Sequence, residues 1–395
     1  SILQEKILQL SRTHWPLYAM NGKLPMNNKT IAATVNTSQG DYRILVGSGI
    51  IGNITDELVK CNLTGRVFLV ADRALPESSI RTLRQKLRAN DYQTELLVLN
   101  LVESNKNMDT AKTIYSWLSQ NLAERRDIII SMGGGVAGDL VGFVAATWLR
   151  GVPFIQIPTT LASMVDASIG GKVAINLPNG KNLVGAFYQP KLVIQDIELL
   201  SSLPKRELNS GWAEVIKHGL ILDRELFYQL EHIGNSYENE LTSNEMISAI
   251  RYSVKIKSDV VSADEYETGD TRILLNYGHT IGHALEKITN YKKFLHGEAV
   301  AIGMMVAARI SYRIGLIELG VIQRQQTILQ QFQLPVYFEK IDVNSLIEAT
   351  RSDKKTRGGS INWVLLTGIG TSTIQSDVPT SLVAEAIEET IHPRN

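Results

Sequence analysis

The fold is indicated most directly by the stretch RDIIISMGGGVAGDLVGFVAATWL, residues 126–149. Its isoleucine-rich beginning is typical of a short buried strand, and its longer apolar end is typical of a helix. Between the two, the glycines of MGGGVAGD (132–139) would let backbone N–H groups approach a pyrophosphate at the positive end of that helix. The spacing differs from G-x-G-x-x-G, so a tight turn without a ligand is the alternative interpretation.

Strands and helices alternate on both sides of this stretch, from Asp41 to about Asp196. Five further segments are typical of short strands: YRILVGSG, RVFLVAD, TELLVLNL, PFIQIPTT and KLVIQD. The segments SSIRTLRQKLRAN and MDTAKTIYSWLSQNLA are amphipathic and predict helices, the second with Asn107 or Asp109 as its N-cap. Such alternation predicts a largely parallel sheet that is covered by helices on both faces.

After about Leu200 helical periodicity dominates, and SINWVLLTGIG is the main strand-like run. We therefore predict an α/β protein with two domains. An extension (1–40) precedes a Rossmann-like, nucleotide-binding domain with a mainly parallel sheet (41–200), and a mainly α-helical domain (201–395) follows. The cleft between two such domains is the default place for chemistry.

The composition excludes several classes of function. Of the 395 residues 44% are hydrophobic, and basic and acidic side chains balance at 40 each, so nothing indicates nucleic acid binding. The longest uncharged apolar runs have ten residues, whereas a membrane span needs roughly 20. Cys61 is the only cysteine, so an intrachain disulfide is excluded and we expect a reducing compartment, the cytoplasm. For residues 1–40 we favour a surface extension helix over the remnant of an organelle-targeting segment.

Polar side chains interrupt the helical half at regular spacings. Glu214 and Lys217 are three residues apart, on one helical face. Arg272, Asn276 and the two histidines of NYGHTIGHALEKI (276–288) follow a spacing of four, three and four, which predicts one polar stripe on a single helix. A third histidine starts the next predicted helix. A stripe of this kind is more typical of a cleft wall than of a solvated face.

These histidines raise the question of a metal site. A catalytic metal takes three protein ligands and keeps one position open. The candidates are Glu214, His279, His283 and His296, and their spacing does not choose among them. Zinc suits a set of histidine and glutamate ligands, whereas magnesium would favour oxygen ligands.

A glycine-rich stretch, VDASIGGKVAINLPNGKNLVGAF (165–187), contains Asp166, Lys172, Lys181 and Asn182 beside apolar residues. Lysines in such a setting often hold phosphate or carboxylate groups. A solvated loop is the alternative. The preceding PTT (158–160) ends a predicted strand and places two hydroxyl groups near the same edge of the sheet.

Seven long segments stand in a fixed order: GGGVAGDLVGF, RGVPFIQIPTTLASMVDASIGGKVAIN, GKNLVGAFYQP, AEVIKHGLI, LLNYGHTIGHALE, LHGEAVAIGM and SDKKTRGG. Together they resemble the 3-dehydroquinate synthases, which are sugar-phosphate cyclases, over about 42–391. The resemblance implies conversion of 3-deoxy-D-arabino-heptulosonate 7-phosphate to 3-dehydroquinate and phosphate, a step of the shikimate pathway. It also implies NAD that is regenerated in each turnover, a divalent metal (zinc, with cobalt as a possible substitute) and a homodimer.

The resemblance also implies roles for individual residues. The N-terminal domain would bind NAD, and the C-terminal domain would bind metal and substrate. The implied metal ligands are Glu214, His279 and His296. The implied substrate contacts are Arg150, Asp166, Lys172, Lys217, Lys257, Arg272, Asn276, His283 and either Lys354 or Lys355. The implied NAD contacts are Asp72, Glu103, Lys106, Gly134, Gly135, Asp139, Thr159, Thr160, Lys181 and Asn182. One position departs from the family pattern, because Ala74 stands where the family often has asparagine.

Three other functions stay open at this point. A second sugar-phosphate cyclase, such as a 2-epi-5-epi-valiolone or 2-deoxy-scyllo-inosose synthase, would share most motifs. A metal-dependent glycerol or alcohol dehydrogenase would share the glycine turn and the threonine pair, but the clustered lysines and Arg272 favour a doubly anionic substrate. A catalytically silent NAD-binding protein would not need every one of these polar positions.

Overall fold

The computed structural model describes residues 30–234, 242–339, 341–354 and 361–391, without the side chains of 352–354. In this part of the chain seven strands form one sheet in the order β1-β2-β9-β6-β5-β3-β4. Its strands are β1 (Ile31–Val35), β2 (Tyr42–Gly47), β3 (Val67–Asp72), β4 (Thr94–Leu99), β5 (Ile128–Gly133), β6 (Phe154–Pro158) and β9 (Leu192–Asp196). Only the β1–β2 pairing is antiparallel among these, which confirms the predicted parallel sheet.

Two antiparallel hairpins accompany the sheet. They are built from β7 (Lys172–Leu177) with β8 (Gly180–Phe187), and from β10 (Trp363–Gly368) with β11 (Thr371–Gln375). The second contains the strand that SINWVLLTGIG predicts. The first is the glycine-rich stretch, and most residues of its outer strand β8 are exposed.

Helices cover the sheet and build the second domain. Those of the first half are α1 (Ile54–Lys60), α2 (Glu77–Arg88), α3 (Met108–Gln120) and α4 (Gly135–Thr147). Those of the second half are α5 (Lys205–Leu222), α6 (Arg224–Ile233), α7 (Asn244–Ala263), α8 (His279–Ile288), α9 (His296–Arg313), α10 (Leu319–Gln331), α11 (Val343–Lys354) and α12 (Thr380–Ile391). Asn107 caps α3 by accepting a hydrogen bond from the backbone N–H of Thr110 at 3.0 Å. Among the described residues no helix is long and apolar enough to cross a membrane.

The sheet has a point where the direction of strand succession reverses. From β3 the chain passes to β4 on one side, and then to β5 on the other side of β3. Ligands of open α/β sheets bind at the carboxyl ends of the two strands that flank such a point. Here those ends are Asp72 and the glycine turn after β5, so the fold itself places a binding crevice beside both.

The two domains share one apolar core. Val35, Ile44 and Val46 of the first two strands belong to the same buried cluster as the apolar faces of α5, α7 and α9. The strand β1 lies within residues 1–40, which the sequence assigned to an extension, so the sheet begins before the predicted boundary at 41. The extension helix predicted at the start of the chain falls on residues 1–29, outside the described residues.

The prediction of a single helix from 272 to 283 is wrong. Arg272–Asn276 form a short 3-10 helix, and α8 begins only at His279. Between them Gly278 adopts a left-handed conformation with φ of 78°, which no α-helix contains. A Cβ at Gly278 would lie 2.7 Å from the carbonyl oxygen of Val300, so the close approach of α9 also requires glycine.

Candidate active site

Three side chains from α5, α8 and α9 converge on one point of the helical domain. Atom Nε2 of His279 and atom Nε2 of His296 lie 3.5 and 3.6 Å from Oε1 of Glu214. That buried oxygen accepts no hydrogen bond from any described residue. A buried carboxylate oxygen without a donor costs free energy, and a divalent cation held by the three side chains would remove that cost. The triad therefore fits a metal such as zinc, which takes this donor set.

The charges around the triad favour metal-binding protonation states at Glu214 and His279 but not at His296. Burial alone would raise the pKa of Glu214, but Lys217 and His279 outweigh it and hold that pKa well below its ordinary value. Burial and the charge of Lys217 lower the pKa of His279 well below its ordinary value. An ionised carboxylate and a neutral imidazole are the forms that bind a cation. Burial would lower the pKa of His296, but Glu214 and Glu286 outweigh it and raise that pKa to about 10, so a bound cation would have to displace a proton there.

Lys217 lies in this environment rather than at an open surface. Only 1% of its side chain is exposed, and its ammonium group forms an ion pair with Oε2 of Glu214 one turn away on α5. The sequence correctly places both residues on one helical face. The structure shows Lys217 as the buried counter-ion of a candidate metal ligand, and its predicted contact with substrate stays a prediction.

His283 lies beside the triad, one turn along α8 from His279. Its ring centroid is 5.3 Å from that of His279 and 5.9 Å from that of His296. Unlike His279 it is exposed. The two histidines of NYGHTIGHALEKI thus occupy different environments, one facing Glu214 and the other facing outward next to the triad.

A second group of charges lies near the start of the first hairpin. Lys257 of α7 donates a hydrogen bond of 2.5 Å to Oδ1 of Asp166, which lies in a π-helical turn at Ser163–Ala167. Burial would raise the pKa of Asp166, but the charge of Lys257 lowers it below its ordinary value. The π-helical turn packs against α5 and α7, so this pair lies next to the helix that carries Glu214.

Glu267 contacts two of the predicted substrate-binding residues, and the sequence interpretation missed it. Its carboxylate forms an ion pair with Lys172, and its Oε1 lies 3.2 Å from Nε of the buried Arg272. Its backbone has a φ of 57°, in the left-handed region that side chains rarely adopt. The acidic segment DEYE (264–267), which shortly precedes Arg272, is the sequence feature that could have indicated a partner for this arginine. Glu267 therefore neutralises two of the predicted anion-binding groups.

The glycine turn and the threonine pair meet at the predicted crevice. Gly134 is the N-cap of α4, and a Cβ added there would lie 3.1 Å from the methyl group of Thr160. Thr159 is buried at the end of β6. Asp72 ends β3, and its carboxylate accepts a hydrogen bond of 3.1 Å from the backbone N–H of Ala74. The substitution at position 74 therefore leaves the local turn intact.

The other predicted NAD contacts form a polar cluster between the first hairpin and the sheet. Lys106 forms an ion pair with Asp139 of α4 and donates a 2.5 Å hydrogen bond to Oδ1 of Asn182. Lys181 lies 3.3 Å from a carboxylate oxygen of Glu103. Burial raises the pKa of Asp139 to about 6, against the opposing charge of Lys106. These five residues come from three separate segments, so only the tertiary fold brings them together.

Three predicted substrate contacts lie elsewhere or cannot be placed. Arg150 is exposed beyond the C-terminal end of α4, and the 13 residues of that helix separate it from the glycine turn by roughly 20 Å. Within one chain Arg150 therefore lies far from the glycine turn and the predicted crevice beside it. Lys354 ends α11, but its side chain lies outside the described atoms, and Lys355 lies outside the described residues.

Solved structures with this fold identify the class of protein. A 2-epi-5-epi-valiolone synthase from Streptomyces hygroscopicus subsp. jinggangensis 5008, with NAD⁺ and Zn²⁺ bound, matches with a TM-score of 0.81 at 27% identity, over 88% of this chain and 96% of that one. A 2-deoxy-scyllo-inosose synthase with carbaglucose-6-phosphate, NAD⁺ and Co²⁺ matches with a TM-score of 0.79 at 25% identity, over 91% and 100%. The chain has the fold of the sugar-phosphate cyclases.

Sequence comparison then resolves the family. The family described as 3-dehydroquinate synthase N-terminal matches residues 96–210, and 3-dehydroquinate synthase C-terminal matches residues 211–356. A 3-dehydroquinate synthase from Prochlorococcus marinus (strain MIT 9215) is 42% identical over 360 residues, which cover 90% of this chain and 98% of that protein. The chain belongs to the 3-dehydroquinate synthase family, as its motifs predict.

Proposed function

We propose that this chain is an enzyme that converts 3-deoxy-D-arabino-heptulosonate 7-phosphate to 3-dehydroquinate and inorganic phosphate. The observation that carries the proposal is the convergence of Glu214, His279 and His296 beside a cluster of anion-binding side chains, in a chain 42% identical to a 3-dehydroquinate synthase over nearly its full length. The lower identity of 27% to the valiolone synthase favours this substrate over that of the other cyclase.

Two cofactors belong to the proposal. The related cyclases bind NAD⁺ with Zn²⁺ or Co²⁺, and we propose NAD and zinc for this chain. NAD would be held at the crevice beside Asp72 and the glycine turn, where it would supply a reversible hydride acceptor. Zinc would be held by the Glu214–His279–His296 triad, where it would supply Lewis acidity toward substrate hydroxyl groups.

The protein side chains bind and orient the substrate. Lys172 and Arg272 would hold its phosphate and carboxylate by charge-assisted hydrogen bonds, and the fork of the arginine allows a bidentate contact. Further contacts around the sugar ring of the substrate would come from the neutral amide of Asn276 and from the charged groups of Lys257 and Asp166. Fixing the substrate in one orientation is the main contribution that such residues make to the rate.

Proton transfer needs one residue in particular. His283 is the exposed imidazole next to the triad, and it would accept the proton of the C5 hydroxyl group, because a neutral imidazole accepts protons near neutral pH. The phosphate oxygens of the substrate would themselves accept the C6 proton during elimination, so the protein need not provide a strong base there. Within this scheme Glu267 must give up its contacts with Lys172 and Arg272 when a substrate anion binds.

We propose further that the protein works in the cytoplasm as a homodimer on a small sugar phosphate. The balance of charges, the single cysteine and the biosynthetic family support this assignment. A homodimer would be seen as twice the chain mass of 43.8 kDa in light scattering. A monomeric mass at working concentration would contradict it.

A phosphate-release assay tests the proposed activity. Purified protein should release phosphate from the heptulosonate phosphate only when both NAD⁺ and a divalent metal are present, and a chelator should stop the release. Sedoheptulose 7-phosphate as substrate separates this function from that of a valiolone synthase. Reduced cofactor should not accumulate, whereas an alcohol dehydrogenase would produce it in proportion to turnover. Absence of phosphate release under full cofactor loading would refute the proposal.

A further inference from the structure

The two candidate metal-binding histidines differ in what holds their second nitrogen. The Nδ1 atom of His279 donates toward the backbone carbonyl oxygen of Tyr277 at 3.2 Å. The Nδ1 atom of His296 lies 3.3 Å from Oε2 of Glu286, a residue of α8 to which no role has been given so far. In both rings the other nitrogen, Nε2, faces Glu214.

An acceptor at Nδ1 decides which nitrogen carries the proton. A neutral imidazole has one N–H group and one lone pair, and an acceptor next to Nδ1 keeps the N–H there and leaves the lone pair on Nε2. A lone pair on Nε2 is what a cation beside Glu214 requires. Carboxylates in this outer position also fix the ring orientation and make the nitrogen ligand more basic.

His296 depends on such support more than His279 does. The side chain of His279 is 12% exposed, so packing restrains its ring, whereas that of His296 is 40% exposed at the first residue of α9. Glu286 is itself only 12% exposed, so its carboxylate acts in a largely desolvated environment where a hydrogen bond is strong. The less restrained ring therefore has the charged partner.

We propose that Glu286 is a positioning residue of the metal site, which holds the ring and the tautomer of His296 so that a divalent cation can bind at Glu214, His279 and His296. The inference rests on the metal site of the proposed function. It differs from an alternative in which His283, Glu286 and His296, which also form a compact group, hold a second cation of their own.

Metal affinity, measured without substrate, tests the proposal. The zinc dissociation constant would be determined by competition with a chromophoric chelator for the wild type, Glu286→Ala and Glu286→Gln. We expect affinity to fall about 10- to 100-fold in Glu286→Ala. We expect a fall of about fivefold in Glu286→Gln, because the amide oxygen still accepts from Nδ1 but carries no charge. Glu348→Gln is the matched control, since Glu348 is an exposed carboxylate on α11, which packs against α8. The zinc affinity of this control variant should equal that of the wild type.

The outcomes separate the possible explanations. Zinc binding within twofold of the wild type in both Glu286 variants would overturn the proposal. Loss of a second bound equivalent, with the first unchanged, would also overturn it in favour of a separate cation site. If Glu286→Ala does not fold, the nearly isosteric Glu286→Gln decides by the same criterion. The test is independent of turnover, so a wild type that binds zinc but releases no phosphate would refute the proposed activity alone.

Discussion

The metal triad and the first hairpin carry candidate site residues in opposite ways. Glu214, His279 and His296 lie on three packed helices around a buried core. Lys172, Lys181 and Asn182 lie on a hairpin whose outer strand is mostly exposed. The two lysines form ion pairs with Glu267 and Glu103. A metal site must be rigid to enforce its geometry, whereas groups that exchange a protein partner for a substrate anion must remain adjustable.

The largest effect is expected from separating the two histidines of α8. His279→Ala should lose zinc and reduce phosphate release on the order of a thousandfold, because the Lewis acid is worth several kcal/mol. His283→Ala should keep zinc and still lose most activity, because it removes the proton acceptor. Metal content and phosphate release would be measured together. If His283→Ala also empties the site, the proposed division of roles is wrong.

Removing the buried counter-ion should destabilise the apoprotein strongly. Lys217→Met removes the ammonium group that pairs with the buried carboxylate of Glu214, which costs about 3–5 kcal/mol. Zinc would neutralise that charge, so the loss should shrink when metal is bound. Urea unfolding with and without chelator measures both values. An equal loss in the two conditions would show that zinc does not bind at Glu214.

The rigidity of the triad rests on one very close helix contact. A Cβ at Gly297 would lie 1.8 Å from the backbone oxygen of Ser210, so Gly297→Ala must push α9 away from α5. We expect a loss of about 1–3 kcal/mol in unfolding free energy, together with weaker zinc binding. Gly320→Ala on α10 is the control, because a Cβ added there would meet no neighbouring atom within 4 Å. Comparable zinc affinity in Gly297→Ala and wild type would show that the triad tolerates movement.

Acid should destabilise the helical domain through His218. This ring is fully buried, with Nδ1 2.8 Å from the hydroxyl oxygen of Ser253, and burial lowers its pKa to about 3. A depressed histidine pKa gives stability that is complete above about 6.5 and is lost as the pH falls toward 3. Between pH 7 and 5 the unfolding free energy should therefore fall by about 2 kcal/mol on account of His218.

The variant His218→Gln should show a correspondingly shallower fall in unfolding free energy between pH 7 and 5. His232 is exposed on α6, so His232→Gln serves as the control and should follow the wild type. The same pH slope in His218→Gln and wild type would mean that other groups control acid stability.

The smallest effect on stability is expected in the hairpin. Lys181 and Glu103 form an ion pair with side chains 37% and 44% exposed, and exposed pairs contribute less than about 1 kcal/mol. Lys181→Met should therefore leave the unfolding free energy nearly unchanged, yet weaken NAD binding if the lysine contacts the cofactor. Calorimetric NAD titration and urea unfolding would be compared. Unchanged NAD affinity would remove Lys181 from the proposed site.

Local patterns were sufficient to predict most individual elements. Parallel strands that are buried on both faces are visible in the sequence as continuous apolar runs. Amphipathic helices are visible through their periodicity and through an N-cap residue such as Asn107. The same reasoning failed at 272–283, because a spacing of four, three and four assumes an unbroken helix. Gly278 interrupts that helix with its left-handed backbone, and the close packing of α9 explains why a glycine stands there.

The α/β fold class, the family and the residue types available for a metal, a dinucleotide and an anion could all be predicted from the sequence, because they follow from periodicity and from long ordered motifs. The tertiary structure decided which of them meet. It placed Glu214 opposite His279 and His296, joined Glu286 to His296, set Glu267 between Lys172 and Arg272, and left Arg150 beyond the far end of α4. The physical reason is that spacing reports neighbours only within one element, whereas contacts between helices depend on side-chain and glycine packing distributed over the whole chain.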